Sequence, residues 1–292
     1  MPHKLPPILT EEQIRDVESR AYLPEHIIHY VSAVSQALPH LVEDYLYYER
    51  EEAIVFIGYP LSGEFSKNIV KNHLARLRQA YHTRPVALMA PANIYPPDSC
   101  LARSSDEYYR LDLSRFALTQ KVRNMVNRAG RELEVVRGKQ LSGEHEQLIR
   151  EFVASRQLDP PTETIFQKIP RYVASSPTLV VLSAWRGERL TAFDILDTAS
   201  LSYMFYMFNF SSRKSYVPGA SDLLFNEIVA LCRESGKTYI IMGLSIHAGV
   251  RRFKEKWGGT PFLPYAFCLV PPLKGIEPKI RSALLSIFRR SY

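Results

Sequence analysis

The sequence is poor in cysteine and has no long apolar run. Only three of its 292 residues are cysteine, at 100, 232 and 268, and none belongs to a Cys-x-x-Cys pair. An odd and widely spaced set of this kind argues against a disulfide framework and against a zinc site. No apolar run approaches the roughly 18 residues of a membrane-spanning helix, and the start, MPHKLPPILTEEQ, lacks the apolar core of a signal peptide. These absences predict a cytoplasmic protein without a transmembrane segment.

Acidic residues are outnumbered by basic ones. The chain has 37 Lys and Arg against 30 Asp and Glu, a formal net charge of +7, and a pI of about 9.2. This balance permits an acidic partner such as a nucleic acid or an anionic membrane surface, but enzymes that act on phosphorylated substrates are equally basic. The length is sufficient for one large core or two modest ones.

The sequence also lacks a convincing metal-ligand cluster. His26 and His29 lie on a predicted helix without carboxylates or cysteines to complete four ligands, and His145 and Glu146 lie in a charged first helical turn. We therefore predict surface positions for these residues, no metal site and no permanently bound cofactor.

Residues 201–245 are the stretch around which the chain is organised. Residues 201–210 are apolar on both faces, which predicts a strand covered on both sides. A basic loop follows, then a helical period closed by Gly236, then a second apolar strand over 238–243. This unit consists of a strand, a basic glycine loop, a helix and a second strand. Such a unit offers free backbone N–H groups to an anion, which suggests a phosphate-bearing acyl donor.

The loop itself supplies five candidate donor-binding residues. Arg213 and Lys214 are cations, and Gly219, Ala220 and Ser221 open the predicted helix. The pyrophosphate of acyl-CoA or the phosphates of aminoacyl-tRNA would sit against the helix N–H groups, with Gly219 permitting a close approach. The alternative is an ordinary strand-to-helix turn with surface cations.

The order of predicted elements matches the GNAT acyltransferase fold. The first half predicts a short helix after residue 10, a helix over 26–47 interrupted at Pro39, and then a strand, helix, strand and loop over 53–59, 64–81, 85–89 and 92–105. The second half predicts a strand at 107–113, helices at 114–130, from 142 and at 163–174, a hairpin at 178–197, the stretch above, a basic helix at 247–257, a strand at 262–270 and a helix at 277–290. This order predicts an α/β fold of two tandem GNAT-like domains, residues 1–115 and 116–292, with mixed central sheets flanked by helices.

Three segments carry a family resemblance. They are EYYRLDLSRFALTQKVRNMVNRAGRELEVV at 107–136, PGASDLLFNEIVALCRESGKTYIIMGLS at 218–245 and GVRRFKEKWGG at 249–259. In this order they resemble the phosphatidylglycerol lysyltransferase C-terminal domain family, whose members are tandem GNAT-like proteins related to the FemAB aminoacyltransferases. The resemblance covers roughly residues 50–270.

The resemblance implies a function. It implies transfer of an aminoacyl group from charged tRNA to an amine or hydroxyl acceptor, which would be a small molecule, a lipid head group or a peptide. The chain departs from the lysyltransferases because it has no membrane-spanning flippase half. Two alternatives stay open: an N-acyltransferase that uses acyl-CoA in the same groove, and a non-catalytic binding module of the same fold.

A basic helix after the second strand contributes two further candidates. Lys254 lies beside the inner stripe of the predicted helix, and Arg251 is its neighbour one turn away. Two cations so close repel unless an anion lies between them. The resemblance implies that a lysine in the Phe-Lys-x-Lys motif faces a phosphate-bearing donor or acceptor, and we assign this role to Lys254. The alternative is a solvated basic face.

The acid–base chemistry has fewer candidates because the central strand over 201–210 contains no acid. Transfer to an amine needs a neutral amine and a stabilised oxyanion. Asp194, flanked by Phe193 and Ile195, is the nearest inward-facing carboxylate, with a perturbed pKa. We assign acceptor handling to Asp194 and Tyr206, while a hairpin-edge position for Asp194 is the alternative.

A second basic helix carries Lys121, Arg123 and Arg128. Together with Arg289 and Arg290 near the end of the chain, these cations could follow the phosphate backbone of tRNA. A solvated helix face explains the same charges equally well.

Overall fold

The structure, a computed structural model, describes residues 6–274, without the side chain of Pro161. The helix predicted over 277–290, with Arg289 and Arg290, lies outside the described residues. The α-helices are α1 (Glu11–Ser19), α2 (Ile28–Ser35), α3 (Lys67–Ala80), α4 (Gln120–Ala129), α5 (Gly143–Ala154), α6 (Pro160–Ser175), α7 (Ala220–Glu234) and α8 (Ala248–Lys256). The strands are β1 (Leu38–Val42), β2 (Tyr45–Glu49), β3 (Ile54–Ile57), β4 (Val86–Ala90), β5 (Ala102–Asp112), β6 (Glu134–Gly138), β7 (Leu179–Arg186), β8 (Arg189–Asp197), β9 (Tyr203–Ser211), β10 (Tyr239–Leu244) and β11 (Thr260–Val270).

All of these strands form one mixed sheet, in the order β1-β2-β3-β4-β11-β5-β10-β9-β8-β7-β6. The pairs β3–β4 and β9–β10 are parallel and the other pairs are antiparallel. The α/β fold with a mixed sheet flanked by helices is therefore confirmed. Strand β11, from the second half of the chain, lies between β4 and β5. The strands of the two predicted halves therefore belong to one continuous sheet. The division near residue 115 stays a prediction.

Strand β9 is buried from both sides, as the apolar run over 201–210 predicts. Phe205, Phe208 and Phe210 face a core formed with α2, α5 and α6. Met204 and Tyr206 face the opposite core, which contains residues of α4, α7 and α8. The sheet thus carries a helical layer on each face at the position of β9, which is the arrangement that a strand without a polar face requires.

The prediction of one interrupted helix over 26–47 is wrong in its second half. Helix α2 ends at Ser35, followed by Gln36 with a left-handed φ of +59°, and a hairpin of β1 and β2 takes the remainder. Pro39 lies on β1, which is the edge strand of the sheet. An edge position tolerates proline because its missing N–H is not needed by a neighbour.

The predicted loop over 92–105 ends earlier than expected, and β6 was not predicted. Strand β5 begins at Ala102 and pairs with both β11 and β10. Its first residues, 102–106, are mostly polar and pair with β11 only, and this pairing overrides their weak strand propensity.

One disulfide joins Cys100 to Cys268, contrary to the expectation from cysteine spacing. The two Cα atoms lie 5.4 Å apart although 168 positions separate them in sequence. Spacing along the chain gives no indication of a pair that only the sheet brings together. Cys232 is a buried free thiol. The expected lack of a disulfide was one reason to predict a cytoplasmic protein, and that reason no longer holds.

Two histidines expected at the surface are buried. The Nε2 atom of His26 lies 3.2 Å from the carbonyl oxygen of Tyr59. The Nε2 atom of His145 lies 2.8 Å from Ser183 Oγ, while its Nδ1 atom accepts the backbone N–H of Ser142. Apolar periodicity does not show that a polar partner lies across the core. Between residues 6 and 274, no group of three His, Cys, Asp or Glu residues has the arrangement of a metal site.

None of the helices within residues 6–274 combines the length and the apolar composition that crossing a bilayer requires.

Candidate active site

The central feature of the site is an opening between β9 and β10. Their parallel ladder begins at Tyr239–Tyr203 and ends at Ile241–Phe205. Beyond that point β9 continues to Ser211 along β8, and β10 continues to Leu244 along β5. The two strands therefore diverge, and the β10-facing edge of β9 after Phe205 is outside the ladder. Such an edge can donate and accept backbone hydrogen bonds with an extended ligand.

Both strands that border the opening carry a β-bulge. On β9 the irregularity lies at Met207, between the pairs formed by Tyr206 and Phe208 with β8. On β10 it lies at Met242, followed by Gly243 with a left-handed φ of +72°. Bulges bend a strand and are frequent beside active sites. Here they lie on either side of the point where β9 and β10 separate.

Lys254 is buried beside β10, with only 3% of its surface exposed. Its Nζ donates a hydrogen bond to the carbonyl oxygen of Leu244 and lies 5.6 Å from the ring centroid of Tyr109. A Cβ at Gly243 would lie 4.0 Å from this nitrogen. Burial lowers the pKa of Lys254 from its ordinary value to about 7, with the charge of Asp106 acting in the opposite direction. An amine with this pKa can accept a proton at neutral pH.

A pocket of about 490 Å³ lies where β10 meets α8. On one wall the Asp106 carboxylate accepts hydrogen bonds from Ser245 Oγ, from the Ile246 N–H at 3.1 Å and from the Glu107 N–H at 2.8 Å. On the α8 side the Arg251 guanidinium lies 3.5 Å from Ser245 Oγ. The residues that line the pocket are Ser105, Asp106, Glu107, Ser245, Ile246, His247, Ala248 and Arg251.

The turn at this pocket is strained. Ile246 has a φ of +56°, a conformation that a β-branched residue rarely adopts and that costs on the order of 1–3 kcal/mol. The hydrogen bond from its N–H to Asp106 helps to hold the turn. Strain of this kind persists where surrounding contacts fix a functional geometry.

Asp194 is buried on β8 and faces inward, as its apolar neighbours suggest. Asn209 Nδ2 donates to its Oδ1 atom at 2.6 Å, whereas no hydrogen-bond partner for Oδ2 is found in the described part of the chain. Burial raises the pKa of Asp194 to about 8, so the carboxyl group is protonated at neutral pH. It can therefore act as a hydrogen-bond donor, in contrast to an ionised carboxylate.

Tyr206 is the first residue of β9 after the ladder with β10 ends. It is half-buried, and its ring lies 5.3 Å from that of Phe225. Burial raises the pKa of its hydroxyl well above 10. Tyr206 is thus a neutral hydroxyl at the start of the opening.

Gly219 precedes α7 with a φ of +88°. A Cβ at this position would lie 2.9 Å from the Met125 carbonyl oxygen and 3.4 Å from the Ala129 Cβ. The close approach that requires glycine here is therefore made by α4. The sequence interpretation explained Gly219 by donor binding and did not include this structural reason for a glycine.

Of the other predicted donor-binding residues of this loop, two pack against the protein interior and two are exposed at the surface. Ser221 Oγ lies 3.1 Å from Ser211 Oγ and joins the start of α7 to β9, while Ala220 is buried. Lys214 is exposed and pairs with Glu151 at 2.8 Å. Arg213 is exposed.

The cations of α4 point outward. Lys121, Arg123 and Arg128 are exposed, while Val122, Val126 and Ala129 on the same helix are buried. The structure is compatible with both interpretations of these cations, so their role in nucleic-acid binding stays a prediction.

The structure brings some of the predicted site residues together. Arg251 lines the pocket, and Lys254 on the same helix contacts the end of β10. Tyr206 lies at the opening, and Asp194 contacts Asn209 further along β9. Sequence reasoning missed Asp106 and the strained Ile246. Their relationship depends on a contact between residues about 140 positions apart, and no local pattern indicates it.

No protein-family model and no curated protein sequence matches the chain. Among solved structures, the fold is similar to the C-terminal domain of a putative lysylphosphatidylglycerol synthetase from Agrobacterium fabrum, with a TM-score of 0.62, 17% identity and 94% of each chain covered. It is also similar to FemX, with a TM-score of 0.58, 10% identity and coverage of 96% of this chain and 98% of that one.

A tandem GNAT protein from the clavulanic acid biosynthesis pathway is a further structural neighbour. It has a TM-score of 0.52 and 12% identity, with 90% of this chain and 96% of that chain covered. The resemblance to lysyltransferase and FemAB-type proteins and the expectation of a GNAT-like fold are thus confirmed at the level of the fold.

Proposed function

We propose that the chain is a transferase that moves an aminoacyl group from charged tRNA to an amine or hydroxyl acceptor. The observation that carries this proposal is the opening between β9 and β10 with Lys254, whose pKa is about 7, beside it. The shared fold with a putative lysylphosphatidylglycerol synthetase and with FemX supports the same class of reaction. The acceptor is a small molecule, a lipid head group or a peptide.

The proposed chemistry uses groups that border the opening. The acceptor nitrogen or oxygen attacks the ester carbon, and its proton passes to the neutral amine of Lys254. Backbone N–H groups of β9 after Phe205 stabilise the oxyanion. The ester C–O bond then breaks, and the leaving tRNA hydroxyl takes a proton. The Lys254 ammonium supplies that proton, which restores its neutral amine. The neutral Tyr206 hydroxyl and the protonated Asp194, acting through Asn209, support the acceptor side.

In this proposal the phosphates of the donor lie against the start of α7 and the cations near it. Ser221 is in the first turn of α7, Arg213 and Lys214 are in the loop between β9 and α7, and Arg251 contributes from α8. Gly219 would provide its backbone N–H group, whereas the Ala220 N–H already donates to the Val217 carbonyl oxygen at 3.1 Å. The Gly219 Cα faces α4. Lys121, Arg123 and Arg128 would contact the more distant phosphates of tRNA.

A second candidate is an acyl-CoA-dependent N-acyltransferase. The similarity to a tandem GNAT protein favours it, and the same helix start would take a pyrophosphate. A third alternative, a binding module without catalysis, would bind a donor but not turn it over.

The test is a transfer assay with the full chain. Radiolabelled aminoacyl-tRNAs and acyl-CoA are each offered with amine and hydroxyl acceptors. We expect transfer from charged tRNA, with Lys254→Met lowering kcat by about 100-fold or more. Arg252→Met is the matched control, because Arg252 lies exposed on the same helix. Transfer from acyl-CoA alone would favour the second candidate, and binding of either donor without turnover would favour the third.

The pH dependence of kcat/KM gives an independent test of Lys254. We expect the rate to rise about tenfold per pH unit below pH 7 and to level off above it, since only the neutral amine accepts a proton. The charged or titratable neighbours are Asp106 and Tyr109 on β5 and Arg251 on α8. A rate that does not change between pH 6 and pH 8 would contradict the role of Lys254 as a base.

Salt dependence separates the two donors. Binding of tRNA should weaken steeply as ionic strength rises, whereas CoA binding should weaken much less. Replacing Lys121, Arg123 and Arg128 together by Gln should reduce the slope for tRNA by about three units. An unchanged slope would identify these cations as a solvated face.

A further inference from the structure

The pocket between β10 and α8 has a charge opposite to that of the whole molecule. Asp106 and Glu107 of β5 are among the residues that line it, together with one guanidinium, that of Arg251. The chain as a whole has a formal charge of +7. A local excess of carboxylates in a basic protein is favourable for a cationic ligand.

We propose that this pocket binds a primary ammonium group of a substrate, an inference that rests on the transferase function proposed above. The volume, about 490 Å³, is within the range of small-molecule sites. The ammonium would lie against Asp106 and Glu107, and the adjoining carbonyl or hydroxyl oxygen would face Arg251.

Hydrogen bonds hold the Asp106 carboxylate in a fixed position. Its two oxygens accept hydrogen bonds from Ser245, Ile246 and Glu107. These bonds remove the rotational freedom of the carboxylate, so little reorganisation is needed when a cation arrives. The left-handed turn at Ile246 is maintained in the same network. Strained turns that fix a polar side chain are concentrated at ligand sites.

Arg251 makes the pocket selective for a particular arrangement of groups. Its planar guanidinium suits a carbonyl, ester or phosphate oxygen. An aminoacyl group carries an ammonium and a carbonyl on adjacent atoms, whereas an acetyl group carries only the carbonyl. A simple acyl group has no ammonium, so Asp106 and Glu107 would not increase its binding affinity.

Lys254 is close enough to Asp106, which lines the pocket, for the charge of that carboxylate to act on its pKa, and its Nζ donates to Leu244, the residue before Ser245 of the pocket. A bound ammonium of the acceptor can lose one proton to the neutral Lys254 amine. The acceptor becomes a neutral nucleophilic amine, and Lys254 becomes an ammonium. Charge and protons are balanced without any further reactant.

The ammonium has two sources, and both have the same chemistry. It is the amino group of the transferred aminoacyl unit, or it is the amine of the acceptor. The pocket assignment is first tested without turnover, by titrating the full chain with n-butylammonium and with n-butanol by ligand-observed NMR. We expect n-butylammonium to bind and n-butanol to bind at least about tenfold more weakly, since only the cation pairs with the carboxylates.

The variants test the residues. Asp106→Asn keeps the size of the side chain and an acceptor for Ser245, and should weaken n-butylammonium binding by about tenfold. Glu107→Gln changes an exposed side chain that folding does not require, and should weaken it by about threefold. Glu134→Gln, on the distant strand β6, is the control and should have no effect. Equal binding of both probes, or variants that bind as the wild type does, would overturn the inference.

Two arms of the transfer assay then identify the source. With a hydroxyl acceptor, Asp106→Asn should raise KM for charged tRNA but not for N-acetylaminoacyl-tRNA if the donor supplies the ammonium. With an N-acetylated donor, it should raise KM for an amine acceptor but not for a hydroxyl acceptor if the acceptor supplies it. Unchanged KM values in both arms, with an active wild type, overturn the inference and leave the transferase proposal intact. Selective n-butylammonium binding with no transfer from any donor overturns the transferase proposal and supports the pocket assignment.

Discussion

Asp194 and Lys254 are buried ionisable residues whose pKa values burial moves in opposite directions. The pKa of Asp194 rises to about 8 and that of Lys254 falls to about 7. Between these two values both side chains are neutral in the folded protein. The interior near the opening therefore carries no charge from either residue in the pH range where an amine transfer would operate.

Replacing Asp194 by Asn should flatten part of the pH dependence of stability. The folded protein keeps the Asp194 proton up to about pH 8, whereas the unfolded chain releases it near pH 3.9. Unfolding thus releases a proton between these values, so stability falls as the pH rises through this window. From pH 5 to pH 8, wild type should lose about 2–4 kcal/mol relative to Asp194→Asn.

Chemical denaturation at several pH values measures this difference. The comparison with the variant removes the opposite contribution of Lys254, which rises with pH above about 7. Asp98→Asn changes an exposed carboxylate and is the control. Parallel stability curves for wild type and Asp194→Asn would contradict the raised pKa.

Some of these residue properties could be predicted from the sequence. The apolar neighbours Phe193 and Ile195 were compatible with an inward Asp194 and equally with a hairpin-edge position, because alternation along a strand places Asp194 on the face opposite to these two residues. Asp194 is buried because helices cover both faces of the sheet at this point. The burial of His145 could not be predicted, since it depends on Ser183 across the core. Asp106 was missed for the same reason: its partners belong to the turn after β10.

At the scale of elements, the contact between α4 and α7 depends on one glycine. Gly219 combines a left-handed φ with a carbonyl oxygen 2.9 Å from the place of a Cβ. Gly236 also has a left-handed φ, of +67°, but nothing lies within 4 Å of its Cβ position. Comparing alanine substitutions at Gly219 and Gly236 therefore separates two destabilising effects. One is the left-handed backbone conformation, and the other is the steric clash of a Cβ with α4.

Gly219→Ala should therefore destabilise the protein more than Gly236→Ala. Both variants pay for the conformation, about 1 kcal/mol, and only the first also forces α4 and α7 apart. We expect an additional loss of about 1–3 kcal/mol for Gly219→Ala, measured by urea denaturation. Equal losses of unfolding free energy in the two variants would show that α4 can move away from the added Cβ without destabilising the protein. Because this change disturbs packing, a loss of donor binding in a Gly219 variant is not evidence of a direct contact.

The sequence predicted elements well where one pattern dominated. Strands β3, β4, β9 and β10 are continuous apolar runs, and α7 has a clear helical period with a glycine after its end. The hairpin of β1 and β2 and strand β6 were missed. Strands β1 and β6 are short edge strands with few buried positions to create a pattern. Strand β2 is largely buried, but its residues lie in the stretch that the sequence interpretation assigned to a helix over 26–47.

At the scale of the whole molecule, the Cys100–Cys268 disulfide joins the segment before β5 to strand β11. Replacing both cysteines by Ser should lower the free energy of unfolding by about 2–4 kcal/mol, because the cross-link restricts a long loop in the unfolded chain. Thiol titration of the unreduced protein in denaturant should find one reactive thiol, that of Cys232. Three reactive thiols would show that the bond is not formed under those conditions.

Strand β11 fills the position between β4 and β5 in the middle of the sheet. During synthesis both of those strands leave the ribosome long before residues 260–270 do. Until then each has an unpaired edge of the kind that recruits other chains. The nascent protein therefore spends most of its translation with an incomplete sheet, and we expect chaperone binding to end only after β11 has emerged.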